Sequence, residues 1–116
     1  MMNNFMEQKL YELHAQMCQV FTSPKRLEIL NLLRNKELSV GELTKLAKIR
    51  QANLSQHLSI LREKGIVKTR REGTTIYYSL SNPKIGKAFD IIREMLLEKL
   101  AQTEKLSQDI RMAKKG

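Results

Sequence analysis

The 116-residue sequence has a single cysteine, no tryptophan, two prolines and two histidines. The lone thiol of Cys18 cannot form an intramolecular disulfide, which fits a reducing compartment. No apolar run approaches the roughly 20 residues that span a bilayer, and the N-terminal residues lack a signal-peptide pattern. We therefore expect one domain over residues 1–116, in the cytoplasm and without a membrane partner.

Motifs of enzymes are absent as well. The sequence has no glycine-rich phosphate loop, no His-Glu-x-x-His and no paired-carboxylate pattern, so it predicts neither an enzyme nor a cofactor. Positive charge is abundant instead, with 21 Lys and Arg against 12 Asp and Glu. The net charge of +9 favours a polyanionic partner, nucleic acid before an anionic membrane surface.

Apolar residues at three- and four-residue steps predict three helices in the first half of the chain. The first covers residues 1–21; Ser23 and Pro24 favour a second over 24–34, and Ser39 caps a third over 40–48. The apolar stripe of the first helix consists of Met6, Leu10, Leu13, Met17 and Val20, the second helix is predicted to bury Leu27, Leu30 and Leu33, and the third presents Val40, Leu43 and either Leu46 or Ala47.

A fourth helix, a hairpin and a long last helix complete the predicted order. The fourth helix covers 51–64 and ends at Gly65, and 66–80 forms a two-stranded hairpin that turns at Glu72-Gly73-Thr74. The last helix, 83–112, carries an apolar stripe on the order of 40 Å long, more than a small domain can cover. We expect a second copy of the chain to pack against the first and last helices across a two-fold axis. The stripe consists of Ile85, Phe89, Ile92, Leu96 and Leu100.

The fourth helix, within QANLSQHLSILREKGIV, has a polar face with little charge. Leu54, Leu58 and Leu61 fall on its core side at 100° per residue. Short hydroxyl and amide side chains on the other side can hydrogen-bond base edges, although such a face can also be an ordinary solvated surface. The basic residues that follow favour phosphate contacts, or else protect a sheet edge. The candidate DNA-binding residues are Gln51, Asn53, Ser55, Gln56, Ser59, Arg62, Lys68, Arg70 and Arg71.

The motifs SPKRLEILNLL, ELSVGEL, NLSQHLSILREKGIV and REGTTIYYSL resemble the ArsR/SmtB family of winged-helix repressors over residues 20–82. The resemblance implies a homodimeric repressor that binds an inverted-repeat operator in double-stranded DNA and leaves it on sensing an inducer. It also implies that 51–64 is the recognition helix and 66–80 the wing. His57 matches the histidine of the family motif, and we expect it to pack or to contact phosphate rather than to bind metal.

The metal-sensing positions of that family are not filled here. The thiol pair of its thiolate sensors corresponds to Ser39 and Gly41, and three of the four ligands of its zinc site are replaced at Asn82, Lys84 and Met95, with Glu98 the fourth. His14 and Cys18 lie four residues apart and could form a site from two copies of the first helix. Alternatively Cys18 is a redox thiol, or a small apolar residue in the dimer interface.

The predicted class is mainly α: a winged helix-turn-helix with a two-stranded β-hairpin wing and long N- and C-terminal dimerisation helices. The predicted function is sequence-specific transcriptional regulation, as a homodimeric repressor. The alternative is a winged-helix protein-interaction module without specific DNA binding.

Overall fold

The computed structural model describes residues 3–115; residues 1 and 2 of the helix predicted over 1–21 lie outside this range. The predicted winged helix-turn-helix class is confirmed. The part up to Pro83 and the part from Lys84 form two compact units, and the single domain over 1–116 stays a prediction. The elements are α1 (Asn4–Val20), α2 (Pro24–Leu32), β1 (Leu38–Ser39), α3 (Val40–Ala47), α4 (Gln51–Glu63), β2 (Val67–Glu72), β3 (Thr75–Leu80) and α5 (Lys84–Lys115).

The first three helices begin at side-chain caps, and those of the second and third, Ser23 and Ser39, are predictable from the sequence. The Met6 N–H donates to Asn3 Oδ1 over 2.8 Å, and the Arg26 N–H donates to Ser23 Oγ over 3.3 Å. Ser39 and Glu42 form a reciprocal capping box at the start of α3. Each cap satisfies backbone donors that a helix start otherwise leaves open.

The core of the first unit lies between α2, α3, α4 and the base of the hairpin. The predicted burial of Leu27 in the second helix is wrong: Leu27 is 37% exposed, and Ile29 is fully buried. On a helical wheel Ile29, Leu33 and Leu30 span about 100°, and Leu27 lies about 60° beyond Leu30, at the edge of the buried face. The buried apolar residues are Val20, Ile29, Leu30, Leu33, Leu38, Leu43, Ala47, Leu54, Leu58, Leu61, Ile66 and Val67.

The sheet has three antiparallel strands in the order β1-β3-β2, one more than predicted. The hairpin of β2 and β3 was expected, but β1 has only two residues, too few to show an alternating pattern. Its Leu38 pairs with Tyr78 of the central strand. Gly73 has a φ of +62° at the hairpin turn and Gly65 a φ of +72° after α4, conformations that favour glycine.

The apolar stripes of α1 and α5 remain exposed in the single chain. Leu10 is 48% exposed, and Leu100 is 65% exposed. The 32 residues of α5 correspond to about 48 Å of helix. Within residues 3–115, no helix combines the length and apolarity that crossing a membrane requires.

Candidate nucleic-acid interface

The helix pair α3 and α4 has the layout of a helix-turn-helix, with residues 48–50 as the turn. Lys48 ends α3 in the left-handed conformation, with a φ of +52°. The Lys25 ammonium of α2 donates to the Ala47 carbonyl over 2.9 Å, at the same end of α3. The end of α3 is therefore tied to α2, which fixes the point from which the chain enters α4.

The face of α4 opposite the core is open to solvent. Leu54, Leu58 and Leu61 are buried, as predicted. No side chain of the described residues caps the start of α4, so its first N–H groups remain available to an acceptor. The exposed residues include Gln51, Ala52, Asn53, Ser55, Gln56, Ser59 and Arg62. Apart from Arg62 they are uncharged, so α4 presents hydrogen-bonding groups without an ionic surface.

His57 lies at the edge of this helix face and is half-buried. Its Nδ1 atom is buried and has no hydrogen-bond partner among the described residues. Burial lowers the pKa of His57, and the positive charges of Arg26 and Lys25 lower it further. Burial and the two neighbouring cations therefore favour the neutral imidazole.

The helix-turn-helix turn carries positive charge that the sequence reasoning did not assign to the interface. Lys45, Lys48 and Arg50 are exposed and make no ion pair within residues 3–115. Lys48 has a positive φ, and this left-handed conformation costs free energy in a residue other than glycine. Lys48 stands at the start of the exposed face. The signal was present in the sequence as three basic residues within KLAKIR.

The wing places its two arginines on opposite faces. Residues alternate along β2, so Arg71 shares a face with buried Val67, whereas Lys68 and Arg70 lie on the other face. Arg71 is exposed near the turn and makes no ion pair with a described residue. Sequence reasoning treated Arg70 and Arg71 alike, and the structure separates them.

Arg70 is surrounded by partners from its own chain. Its Nε donates to both carboxylate oxygens of Glu37 over 3.1 Å, and its Nη1 donates to Glu72 Oε2 over 3.0 Å. The guanidinium carbon lies 4.8 Å from the centroid of the Tyr77 ring. Hydrogen bonds to Glu37 and then Glu72 raise the pKa of Arg70, so its charge is permanent.

The candidate sensor residues do not form a metal site within residues 3–115. His14 and Cys18 are both exposed on α1. Among residues 3–115 no three or more His, Cys, Asp or Glu side chains are grouped so as to hold a metal ion. Ser39, which occupies one family ligand position, uses its hydroxyl to cap α3.

Comparison with known proteins adds independent findings. The family described as bacterial regulatory protein, arsR family, matches residues 23–69. The uncharacterized HTH-type transcriptional regulator Rv0081 of Mycobacterium tuberculosis is 35% identical over 103 residues, or 88% of this chain and 90% of that protein. The crystal structure of Rv0081 superposes with a TM-score of 0.73 at 36% identity, covering 80% of this chain and 94% of that one.

Two further similar proteins have names that state a function or an assembly. The biofilm growth-associated repressor of Agrobacterium fabrum is 40% identical over 87 residues, covering 75% of this chain and 74% of the repressor. The homodimeric winged helix-turn-helix DNA-binding domain of Mb0332 from Mycobacterium bovis, solved by NMR, has a TM-score of 0.73 at 26% identity and covers 81% of this chain and 87% of that domain. Another relative is named a transcriptional activator.

Proposed function

Because the chain belongs to the ArsR family of bacterial regulatory proteins and is a DNA-binding transcriptional regulator, we propose that it acts as a homodimeric repressor that occupies an inverted-repeat operator. The observation that carries this proposal is α4: a buried leucine stripe on one side and an exposed, charge-poor polar face on the other. Such a face is suited to the major groove, where base edges present donors and acceptors.

The polar face would read bases, and the flanking basic residues would hold the backbone. Ser55, Gln56 and Ser59 lie on the exposed side of α4, and the amide of Gln56 can bond adenine at two atoms. Gln51 and Asn53 stand at the open start of the helix, where acceptors such as phosphates are favoured. The proposed backbone contacts are Lys48, Arg50, Arg62, Lys68 and Arg71.

A second copy would cover the terminal helices. Exposed apolar residues recur along α1 and α5, and burying such residues in a symmetric interface is the economical solution. Two copies related by a two-fold axis present two reading helices, and these match two half-sites of opposite orientation. The homodimeric domain of Mb0332 supports this assembly by similarity.

Repression would follow from occupancy of the operator. The Agrobacterium fabrum relative is named a repressor, which supports repression over activation. Another relative is named an activator, so the direction of regulation is worth testing. We propose no resident metal or cofactor, because no group of three or more His, Cys, Asp or Glu side chains within residues 3–115 could hold a metal ion, and we assign Cys18 to packing in the dimer interface.

The proposal is tested by selecting binding sites from a pool of random duplexes and placing the selected sequence in a reporter promoter. We expect enrichment of an inverted repeat and a fall in reporter expression when the protein is produced. Binding of the selected duplex should also weaken steeply with salt, because cations are released from the contacted phosphates. No enrichment would contradict specific binding, and a rise in expression would contradict repression.

A further inference from the structure

Arg70 lies where it can join all three strands of the sheet. It projects from β2, pairs in register with Tyr77 of the central strand, and reaches Glu37, which directly precedes β1. Tyr77 in turn pairs with Ser39, the cap of α3. One guanidinium therefore connects the hairpin to the segment from which the helix-turn-helix begins.

The charges around Arg70 do not suit a phosphate. One guanidinium is bonded to two carboxylates, Glu37 and Glu72, so the cluster has more negative than positive charge. A phosphate that approached Arg70 would have to displace a carboxylate or share the cation with it. Arg71, the next residue, has no such competitor within residues 3–115 and faces the other side of the wing.

We propose that Arg70 is a positioning residue that fixes the angle of the wing. Glu37 and Glu72 hold its guanidinium, which stacks on Tyr77. Arg71 makes the phosphate contact at the wing tip. A two-stranded hairpin is marginal by itself, so an attachment beyond its base restricts how it moves. The Arg70 Nε–H is shared between the two carboxylate oxygens of Glu37, and this contact and the cation–π contact add direction to an ion pair that is exposed and individually weak. This inference rests on the proposed function, because the wing angle matters only if the wing meets DNA.

The sharpest test exchanges the charges of the pair. Arg70→Glu alone leaves Glu37, Glu72 and the new carboxylate together, and should weaken binding of the selected duplex. The double variant Glu37→Arg and Arg70→Glu places one guanidinium between two carboxylates again, and should restore most of the lost affinity. If Arg70 were a phosphate ligand, the double variant would stay as weak as Arg70→Glu, and that result would overturn the inference.

Salt dependence separates the two arginines. For Arg71→Ala the slope of log affinity against log salt should fall by about 1.8, because each of the two protomers loses one phosphate contact. For Arg70→Ala and Glu37→Gln we expect an affinity loss of about two- to fivefold with an unchanged slope. A reduced slope for Arg70→Ala would contradict a positioning role.

Hydrogen exchange of the free protein supplies a readout independent of DNA. Amides of β2 and β3 near the turn should exchange faster in Arg70→Ala and Glu37→Gln than in the wild type, while Arg71→Ala leaves them unchanged. Unchanged exchange in Arg70→Ala would show that the cluster does not restrain the wing. Failure of the wild type to bind any selected duplex would instead reject the proposed function, so the two failures are distinguishable.

Discussion

The helix-turn-helix core and the terminal helices differ in where their apolar residues lie. Leu58 of α4 is 1% exposed, whereas Leu100 of α5 is 65% exposed although both belong to leucine-bearing helical stripes. The core is closed within one chain, and the terminal helices present apolar surface that water disfavours. In the proposed dimer, folding of the helix-turn-helix core and assembly of two copies would therefore depend on separate sets of residues.

The largest expected effect comes from the closed region. Leu58→Ala should lower the free energy of unfolding by about 2–5 kcal/mol, because it leaves a cavity among fully buried side chains. Leu46→Ala is the matched control in the same helix pair, since Leu46 is 50% exposed. We expect the control to change stability by no more than about 1 kcal/mol. Urea denaturation of both variants measures the contrast, and equal losses would show that the core is not closed as described.

The second effect concerns assembly. Leu100→Glu should shift the protein from dimer toward monomer in sedimentation velocity, because it places a charge in the proposed apolar interface. Gln102→Glu adds the same charge about 200° away around α5 and should leave the dimer intact. Far-ultraviolet circular dichroism checks that the helices persist. A dimer unaffected by Leu100→Glu would remove α5 from the interface.

A smaller effect is expected at the edge of the core. The pKa of His57 is lowered in the folded state, so the neutral form stabilises the fold and the unfolded chain binds the proton more readily. This stabilisation is present above the ordinary histidine pKa of about 6.5 and is lost as the pH falls from there through the lower pKa of the folded state. His57→Gln should reduce the drop in unfolding free energy between pH 7.5 and 5.5, measured by urea denaturation. An undiminished drop would assign the pH dependence to other groups.

Local signals explain how much of the fold could be predicted. Ser23, Ser39 and Gly65 mark helix boundaries through backbone chemistry that depends on neighbouring residues only. The exposure of Leu27 could not be predicted in this way, because the rotation of α2 is set by the residues that pack against it. Strand β1 could not be predicted for a related reason, because its two residues form a strand only by pairing with Tyr77 and Tyr78.

The candidate site likewise has a part that local sequence patterns predict and a part that depends on the tertiary fold. The polar face of α4 is visible from helical periodicity, since it needs only the position of the buried leucines. The partners of Arg70 were not predictable, because Glu37 is 33 residues away in sequence and meets it only through the sheet. The basic residues around Lys48 are visible in the sequence, but their exposed position at the turn before α4 follows only from the fold.

Reading of DNA sequence by α4 is tested most directly by one competition experiment. Fluorescence anisotropy compares the selected duplex with a duplex of identical composition but shuffled order, for the wild type and for Gln56→Ala and Ser55→Ala. We predict that the wild type prefers the selected duplex and that Gln56→Ala loses about tenfold of that preference or more, with nonspecific affinity retained. Equal binding of both duplexes by the wild type, or an undiminished preference in both variants, would contradict sequence reading by α4.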